Sequence, residues 1–305
     1  MSRPPLPRRV TVVEVGPRDG LQNEAAQVPT ATKIAFVEAL AASGLPVVEL
    51  TAFVSPARVP QMADAVDVAR GVARRPGTRY SALVPNLRGL AAAHDAGMTE
   101  IAVFAAASET FSQRNINQTI EGSFTVYAQV MRDAGVMGMR VRAYLSTAFG
   151  CPFEGQVPQA RVVELTERLL TMGAFEVAVS DTIGVATPGQ VADMVDLLRA
   201  RVPAGVIALH LHDTRGTALA NVLAALQAGI TTFDASAGGL GGCPFAPGAA
   251  GNLSTEDLLY MLHGLGIETG VDLDAVVRAS QLIAPSLGHP LPSRYLQAAS
   301  SVSPR

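Results

Sequence analysis

Short apolar, β-branched runs alternate with longer stretches rich in alanine and leucine along most of the chain. The runs at 10–15, 47–50, 79–84, 100–104, 140–145, 175–180, 206–210 and 231–235 read as strands. Several are apolar at nearly every position, as expected of a parallel sheet covered on both faces. Helical patterns lie between them, at 30–42, 56–74, 156–172 and 187–201. Gly44, Gly97, Gly135, Gly173 and Gly229 stand where helices should stop, since glycine accepts the left-handed conformation that ends a helix. The eight βα units run on without a linker or low-complexity segment, which predicts an α/β fold closed into a (β/α)8, or TIM, barrel. A doubly wound open sheet is the alternative. Beyond about residue 273 the pattern gives one more helix, then a Pro/Ser-rich tail with the composition of a disordered segment. Residues 1–305 are expected to form one domain, with the barrel over about 10–265 and the helical extension and tail over 266–305.

Composition narrows the chemistry. The 305 residues are ample for one buried core, since such barrels typically take roughly 250. The chain is 49% hydrophobic and 16% charged, and its net charge of −3 provides no basic field for nucleic acid or anionic lipid. Of the 23 basic residues only Lys33 is a lysine. It falls in the first helical stretch, where a solvated surface position is expected, so imine-forming chemistry is excluded. Two cysteines, Cys151 and Cys243, are too few for a disulfide framework and fit a reducing compartment. No leader pattern precedes the first strand, and charges such as Glu49, Asp95 and Glu100 interrupt every apolar stretch before spanning length. A soluble, cytoplasmic protein without a membrane partner is expected.

In such a barrel the active site lies at the carboxyl ends of the strands. Arg18 and Asp19 follow the first strand, Glu49 ends the second, Asn86 follows the third and Ser146 the fifth. Asp181 follows the sixth strand, and His210 and His212 close the seventh. This joint placement points to an enzyme. Residues at i and i+2 of a strand share a face, so both imidazoles can address one ion, although His-x-His alone equally describes two capped surface histidines. Asp19 offers a carboxylate from the opposite side of the barrel. Together with an amide oxygen such a set suits Mg²⁺ or Mn²⁺, and without a neighbouring cysteine it disfavours structural zinc. Asp213 points the other way and is placed to cap the next helix. Arg18 reads either as a turn residue paired with Asp19 or as a fixed donor fork for a developing oxyanion.

The segment from Gly238 to Asn252 is too rich in glycine for a simple connector, and it lacks the spacing of a P-loop or dinucleotide fingerprint. It reads as a mobile lid able to bring Cys243 to a closed site. Cys151, in a second Gly-Cys-Pro, reads as a packing residue.

Several segments resemble hydroxymethylglutaryl-CoA lyases. They are Val13-Glu14-Val15-Gly16-Pro17-Arg18-Asp19-Gly20-Leu21-Gln22-Asn23-Glu24, Phe53-Val54-Ser55-Pro56, Asp181-Thr182-Ile183-Gly184, His210-Leu211-His212-Asp213-Thr214 and the loop from Gly239 to Asn252 with the Thr255-Glu256-Asp257 that follows. The resemblance implies a metal-dependent barrel that cleaves 3-hydroxy-3-methylglutaryl-CoA to acetyl-CoA and acetoacetate. It implies a divalent cation on Asp19, His210, His212 and Asn252, with Arg18 stabilising the enolate and Glu49 supporting Arg18. It further implies Cys243 in proton transfer, Asp181 or His210 as the base, an acyl-CoA substrate and a homodimer. No short motif marks where the CoA nucleotide binds. Three positions depart from the family pattern. Arg215 and Phe245 stand where tyrosine is usual or frequent, and Ala52 where serine is common. These leave open a related 3-hydroxy-3-alkylglutaryl-CoA, or a condensing acyltransferase of the same superfamily. Arg215 either reaches an acidic group of the substrate or sits on the surface at a helix start.

Overall fold

The computed structural model describes residues 6–242 and 251–301. Eight parallel strands close into a barrel in sequence order. Along the chain the elements are β1 (Thr11–Glu14), α1 (Thr30–Ala42), β2 (Val47–Ala52), α2 (Ala65–Gly71), β3 (Arg79–Leu83), α3 (Leu87–Asp95), β4 (Glu100–Ala106), α4 (Glu109–Ile116) and α5 (Ile120–Val136). There follow β5 (Arg140–Ser146), α6 (Gln159–Thr171), β6 (Glu176–Asp181), α7 (Pro188–Arg199), β7 (Ile207–Leu211), α8 (Ala218–Gln227), β8 (Thr232–Ala235), α9 (Thr255–Gly264), α10 (Leu273–Ile283) and α11 (Arg294–Ser301). The expected (β/α)8 barrel is therefore the fold, and the open sheet is ruled out because β1 pairs with β8 in register from Thr11 to Glu14. Among the described residues no helix is long and apolar enough to cross a membrane.

Strands that are apolar on both faces pack outward against the helices through residues such as Val12, Leu50, Ile101 and Leu209, all buried. Local chemistry sets the helix starts. Asn86, Ser108, Thr119 and Asp272 each cap a helix by accepting a backbone N–H three residues on.

Several sequence-based expectations need correction. The helical pattern at 56–74 becomes a 3₁₀ turn at Pro60–Met62 followed by the short α2, because Pro56 and Pro60 cannot continue a helix. Gly135 lies inside α5, and the positive-φ stop after it is Gly138. The C-terminal segment holds a further helix, α11, whose first turn is pinned where Asp257 accepts the Tyr295 N–H at 2.7 Å. Lys33 is not a solvated surface residue. It is buried, its Nζ bonded to the Gln61 carbonyl and paired with Asp64 at 2.7 Å. Its ammonium joins α1 to the segment before α2, and it does not line the cavity at the strand ends.

Beside β1, the Glu14 carboxylate accepts from the Gly16 and Ala237 amides at 2.8 Å and from the Thr255 hydroxyl at 2.7 Å. It thereby joins the exits of β1 and β8 to α9. Complete burial pushes its carboxyl up to about 8, against those hydrogen bonds. A pKa raised above the unfolded value stabilises the fold fully below that unfolded value, and the contribution fades as pH climbs through about 8. Urea unfolding at pH 5 and pH 8 should show this loss, and Glu14→Gln should flatten it.

Candidate active site

The carboxyl ends of the strands open into a cavity lined by Arg18, Asp19, Gln22, Asn23, Phe104 and Phe111, with Tyr144, Ser146, Ser180, Thr182, His210 and His212 also on its wall. After β1 the chain makes one tight π-helical turn, Gly16–Gly20, which turns Arg18 and Asp19 inward. Glycine at two later positions has a steric reason. A Cβ on Gly251 would sit 1.9 Å from the Gly241 carbonyl oxygen, and one on Gly241, at φ +110°, would meet Asn252 at 2.6 Å. The two stems of the glycine-rich segment thus cross in contact, which places Asn252 over the site.

Arg18 is buried and immobilised. Its Nε donates to Glu49 at 2.5 Å, one terminal nitrogen donates to Asp19 at 2.6 Å, and its guanidinium lies 5.1 Å from the Tyr144 ring centre. Burial works against its charge, but Glu49 and Asp19 outweigh this and raise its pKa further. It is a permanent cation. Glu49 lies within β2, which continues to Ala52 with a register shift between Glu49 and Thr51, so it does not end the strand as expected. Burial raises its carboxyl while Arg18 pulls it back, and the Tyr144 hydroxyl donates to it at 3.1 Å.

His210 and His212 do share a face. Their Nε2 atoms are 3.3 Å apart, and Asp19 Oδ2 is 3.8 Å from His210 Nε2. Asp19 is not opposite them, as the sequence suggested. β1 and β7 both pair with β8, so the carboxylate and the imidazoles are separated by a single strand. One ligand atom from each of Asp19, His210 and His212 lies within 4.8 Å of the others. Burial pushes the Asp19 carboxyl up, but Arg18 and then the histidines hold it at about 2. Burial, with His210 beside it, lowers His212 to about 4, so it stays neutral and keeps a lone pair at neutral pH. Asn252 donates to Asp19 Oδ2 at 2.9 Å while its own Oδ1 is buried with no hydrogen-bond partner. One ionised carboxylate, two ring nitrogens aimed at each other and an orphaned amide oxygen fit a divalent cation.

The structure keeps two of the candidates apart from this cluster. Asp181 ends β6 with both carboxylate oxygens accepting backbone N–H groups, from Val185 and Ala186, at 2.9 Å. Its neighbours Ser180 and Thr182 line the cavity, and Asp181 itself does not. Burial raises its pKa against those two bonds. Asn86 is the α3 cap described above. Asp213 caps α8 by accepting the Ala218 N–H, as expected. Arg215 is exposed and donates to the Ile183 and Gly184 carbonyls, tying the β6 and β7 exits together. Cys151 is buried, with Sγ 2.9 Å from the Ser108 hydroxyl, in keeping with a packing role. Cys243 and Phe245 lie outside the described residues.

Sequence reasoning missed the barrel's interior charges. Arg142 on β5 binds Glu176 through Nε at 2.7 Å and Asp234 on β8 through both terminal nitrogens, at 3.0 and 2.7 Å. Asp234 also accepts from His210 Nδ1 at 3.2 Å. Burial raises Asp234, but Arg142 and His210 bring it below the usual carboxylate range. Tyr144 connects the two ion pairs, with its ring edge against His210 and the Arg18 and Arg142 guanidiniums each 5.1 Å from its centre. The available signal was a charged residue inside an otherwise apolar strand, as at Arg142 and Asp234, which burial permits only with a partner.

Fold and site define a (β/α)8 barrel whose mouth carries a candidate divalent-cation centre beside a fixed arginine. The HMGL-like family model matches residues 9–283, and the chain belongs to that family. A cytoplasmic 3-hydroxy-3-methylglutaryl-CoA lyase of Danio rerio is 53% identical over 295 residues, covering 97% of this chain and 88% of the relative. The crystal structure of the Bacillus subtilis HMG-CoA lyase is 50% identical, with a TM-score of 0.96 over 97% of this chain and all of that one. An Acinetobacter baumannii HMG-CoA lyase in complex with coenzyme A and 3-methylmalate is 38% identical, with a TM-score of 0.93 over 98% of both chains.

Proposed function

We propose that this protein is a carbon–carbon lyase that cleaves 3-hydroxy-3-methylglutaryl-CoA to acetyl-CoA and acetoacetate, with Mg²⁺ or Mn²⁺ held by Asp19, His210, His212 and Asn252. The observation that carries this reading is the meeting, in one cavity, of an immobilised guanidinium and the Asp19–His210–His212 cluster. Relatives that share about half of its residues over nearly the whole chain support the substrate.

A bound divalent cation would polarise the substrate oxygens and offset the charge that develops on cleavage. As the resemblance implies, we assign the tertiary hydroxyl proton to Asp181, whose chain neighbours Ser180 and Thr182 line the cavity. Each of its oxygens keeps a lone pair beyond the amide bond it accepts, and its raised pKa suits a base. His210 is excluded from that role while it serves as a ligand, because Nδ1 is engaged by Asp234 and Nε2 has a single lone pair to give. As the hydroxyl becomes a ketone, the bond to the thioester α-carbon breaks and its electron pair forms the enolate of acetyl-CoA. Arg18, held from below by Glu49, meets that oxyanion with no reorganisation. Protonation at the α-carbon completes acetyl-CoA, and we assign that proton to Cys243, as the resemblance implies.

Two of the departures from the family pattern, Ala52 and Arg215, bear little on the acyl group. Ala52 is fully buried in β2, Arg215 binds backbone carbonyls, and neither lines the cavity. Incubation with 3-hydroxy-3-methylglutaryl-CoA and Mg²⁺ should release acetoacetate, EDTA should stop it, and longer 3-alkyl esters should turn over more slowly. If no acetoacetate forms, while acetyl-CoA and a 2-oxo acid release free thiol, the enzyme is a condensing acyltransferase instead.

A further inference from the structure

The ring nitrogens of His210 and His212 differ in what holds them. Asp234 receives both terminal nitrogens of Arg142, which is itself tied to Glu176, so its carboxylate is fixed in the barrel interior with no freedom to turn. His210 and Asp234 are register partners on β7 and β8, and Arg142 and Glu176 on β5 and β6, so backbone pairing sets both ends of the chain of contacts and the Arg142 side chain joins them across the interior. The carboxylate can only accept, so at the 3.2 Å contact His210 Nδ1 must donate. His212 Nδ1, by contrast, is buried with no hydrogen-bond partner.

We infer that Asp234, clamped by Arg142, is a positioning residue that locks His210 in its Nδ1–H tautomer, leaving a lone pair on Nε2 for a divalent cation, while the tautomer of His212 is set by its ligand. This rests on the reading of Asp19, His210 and His212 as a cation site. With the His210 Nε2 bare, the 3.3 Å contact between the two Nε2 atoms needs the hydrogen of His212 in the cation-free protein. On loading, the proton of His212 must therefore pass to Nδ1 while that of His210 stays in place. Carboxylate partners of metal-bound histidines generally contribute 10–100-fold in metal affinity by fixing the tautomer in this way.

The test is ¹⁵N NMR of the imidazoles in the full-length protein, without cation and with Mg²⁺, together with calorimetric Mn²⁺ titration of wild type and Asp234→Asn. Expected are a His210 proton on Nδ1 in both states, a His212 proton that moves on loading, and Mn²⁺ binding about 10–100-fold weaker in the variant. Asparagine offers one acceptor to the three donors that Asp234 serves, so the variant loses stability, and the wild-type spectrum decides independently of it. A His210 proton on Nε2 in the cation-free protein, or equal Mn²⁺ affinity in a folded Asp234→Asn, overturns the inference. Wild type that binds no Mn²⁺ overturns the cation site itself, and the inference with it, and is told apart because no variant is needed to see it.

Discussion

Arg18→Met is expected to lower kcat on 3-hydroxy-3-methylglutaryl-CoA by about 10²–10³-fold, the usual cost of losing one preorganised donor to an oxyanion. The structure adds a complication that must be separated from catalysis. Glu49 Oε2 is fully buried and would keep only the Tyr144 hydroxyl, so the single substitution also leaves an uncompensated charge and lowers thermal stability. In Arg18→Met/Glu49→Gln that charge is removed, and stability should recover while kcat stays low. If kcat recovers with stability, Arg18 matters only as the partner of Glu49, and its assignment to the enolate fails. Asp19 loses its nearest cation in both variants, so Mn²⁺ affinity measured alongside shows whether the cation is still held.

The elements that were legible in the sequence are those whose cause is local. Strand–helix alternation, the Asp213 cap of α8 and the two-residue spacing of His210 and His212 follow from chain geometry alone, and the structure reproduces them. What remained hidden depends on closure. Asp19 is near His210 only because β8 closes the barrel between β1 and β7, and no pattern along the chain reports which strands become neighbours at the seam. Arg142 and Asp234 lie 92 residues apart in the chain and meet across the interior, so each alone looked like a charge tolerated in an apolar strand. Lys33 misled for a related reason. Its helix pattern carries no sign that Asp64 and the Gln61 carbonyl would receive its ammonium from a segment that prolines keep from being α-helical.

The interior charges also explain how the mouth can be both buried and polar. Glu49, Arg18, Tyr144, Arg142, Asp234 and His210 form one connected set in which each charge has an opposite partner or a donor. Ion pairs of this kind contribute little net stability over apolar packing, but they fix geometry, and geometry is what Arg18 and His210 require.

Asp181→Asn is expected to reduce kcat by about 10²–10⁴-fold, the range for a positioned general base. Two explanations are available for such a loss, because Asp181 also shapes the β6 exit through the Val185 and Ala186 amides. Asparagine can accept only one of those bonds and turns a donor toward the other, so some displacement of Thr182, which lines the cavity, comes with the substitution. A loop effect acts on substrate placement, so it would raise KM and leave the shape of the pH profile intact. Loss of a base acts on the chemical step. The Asp181 carboxyl must be ionised to take the hydroxyl proton, so the wild-type kcat should rise with pH as Asp181 titrates, at a pH above the usual carboxylate range because burial raises its pKa. In Asp181→Asn that rise should vanish while KM stays within a few-fold of wild type. A variant that retains the rise, with kcat close to wild type and KM increased, shows that Asp181 serves only the loop and that another group takes the proton.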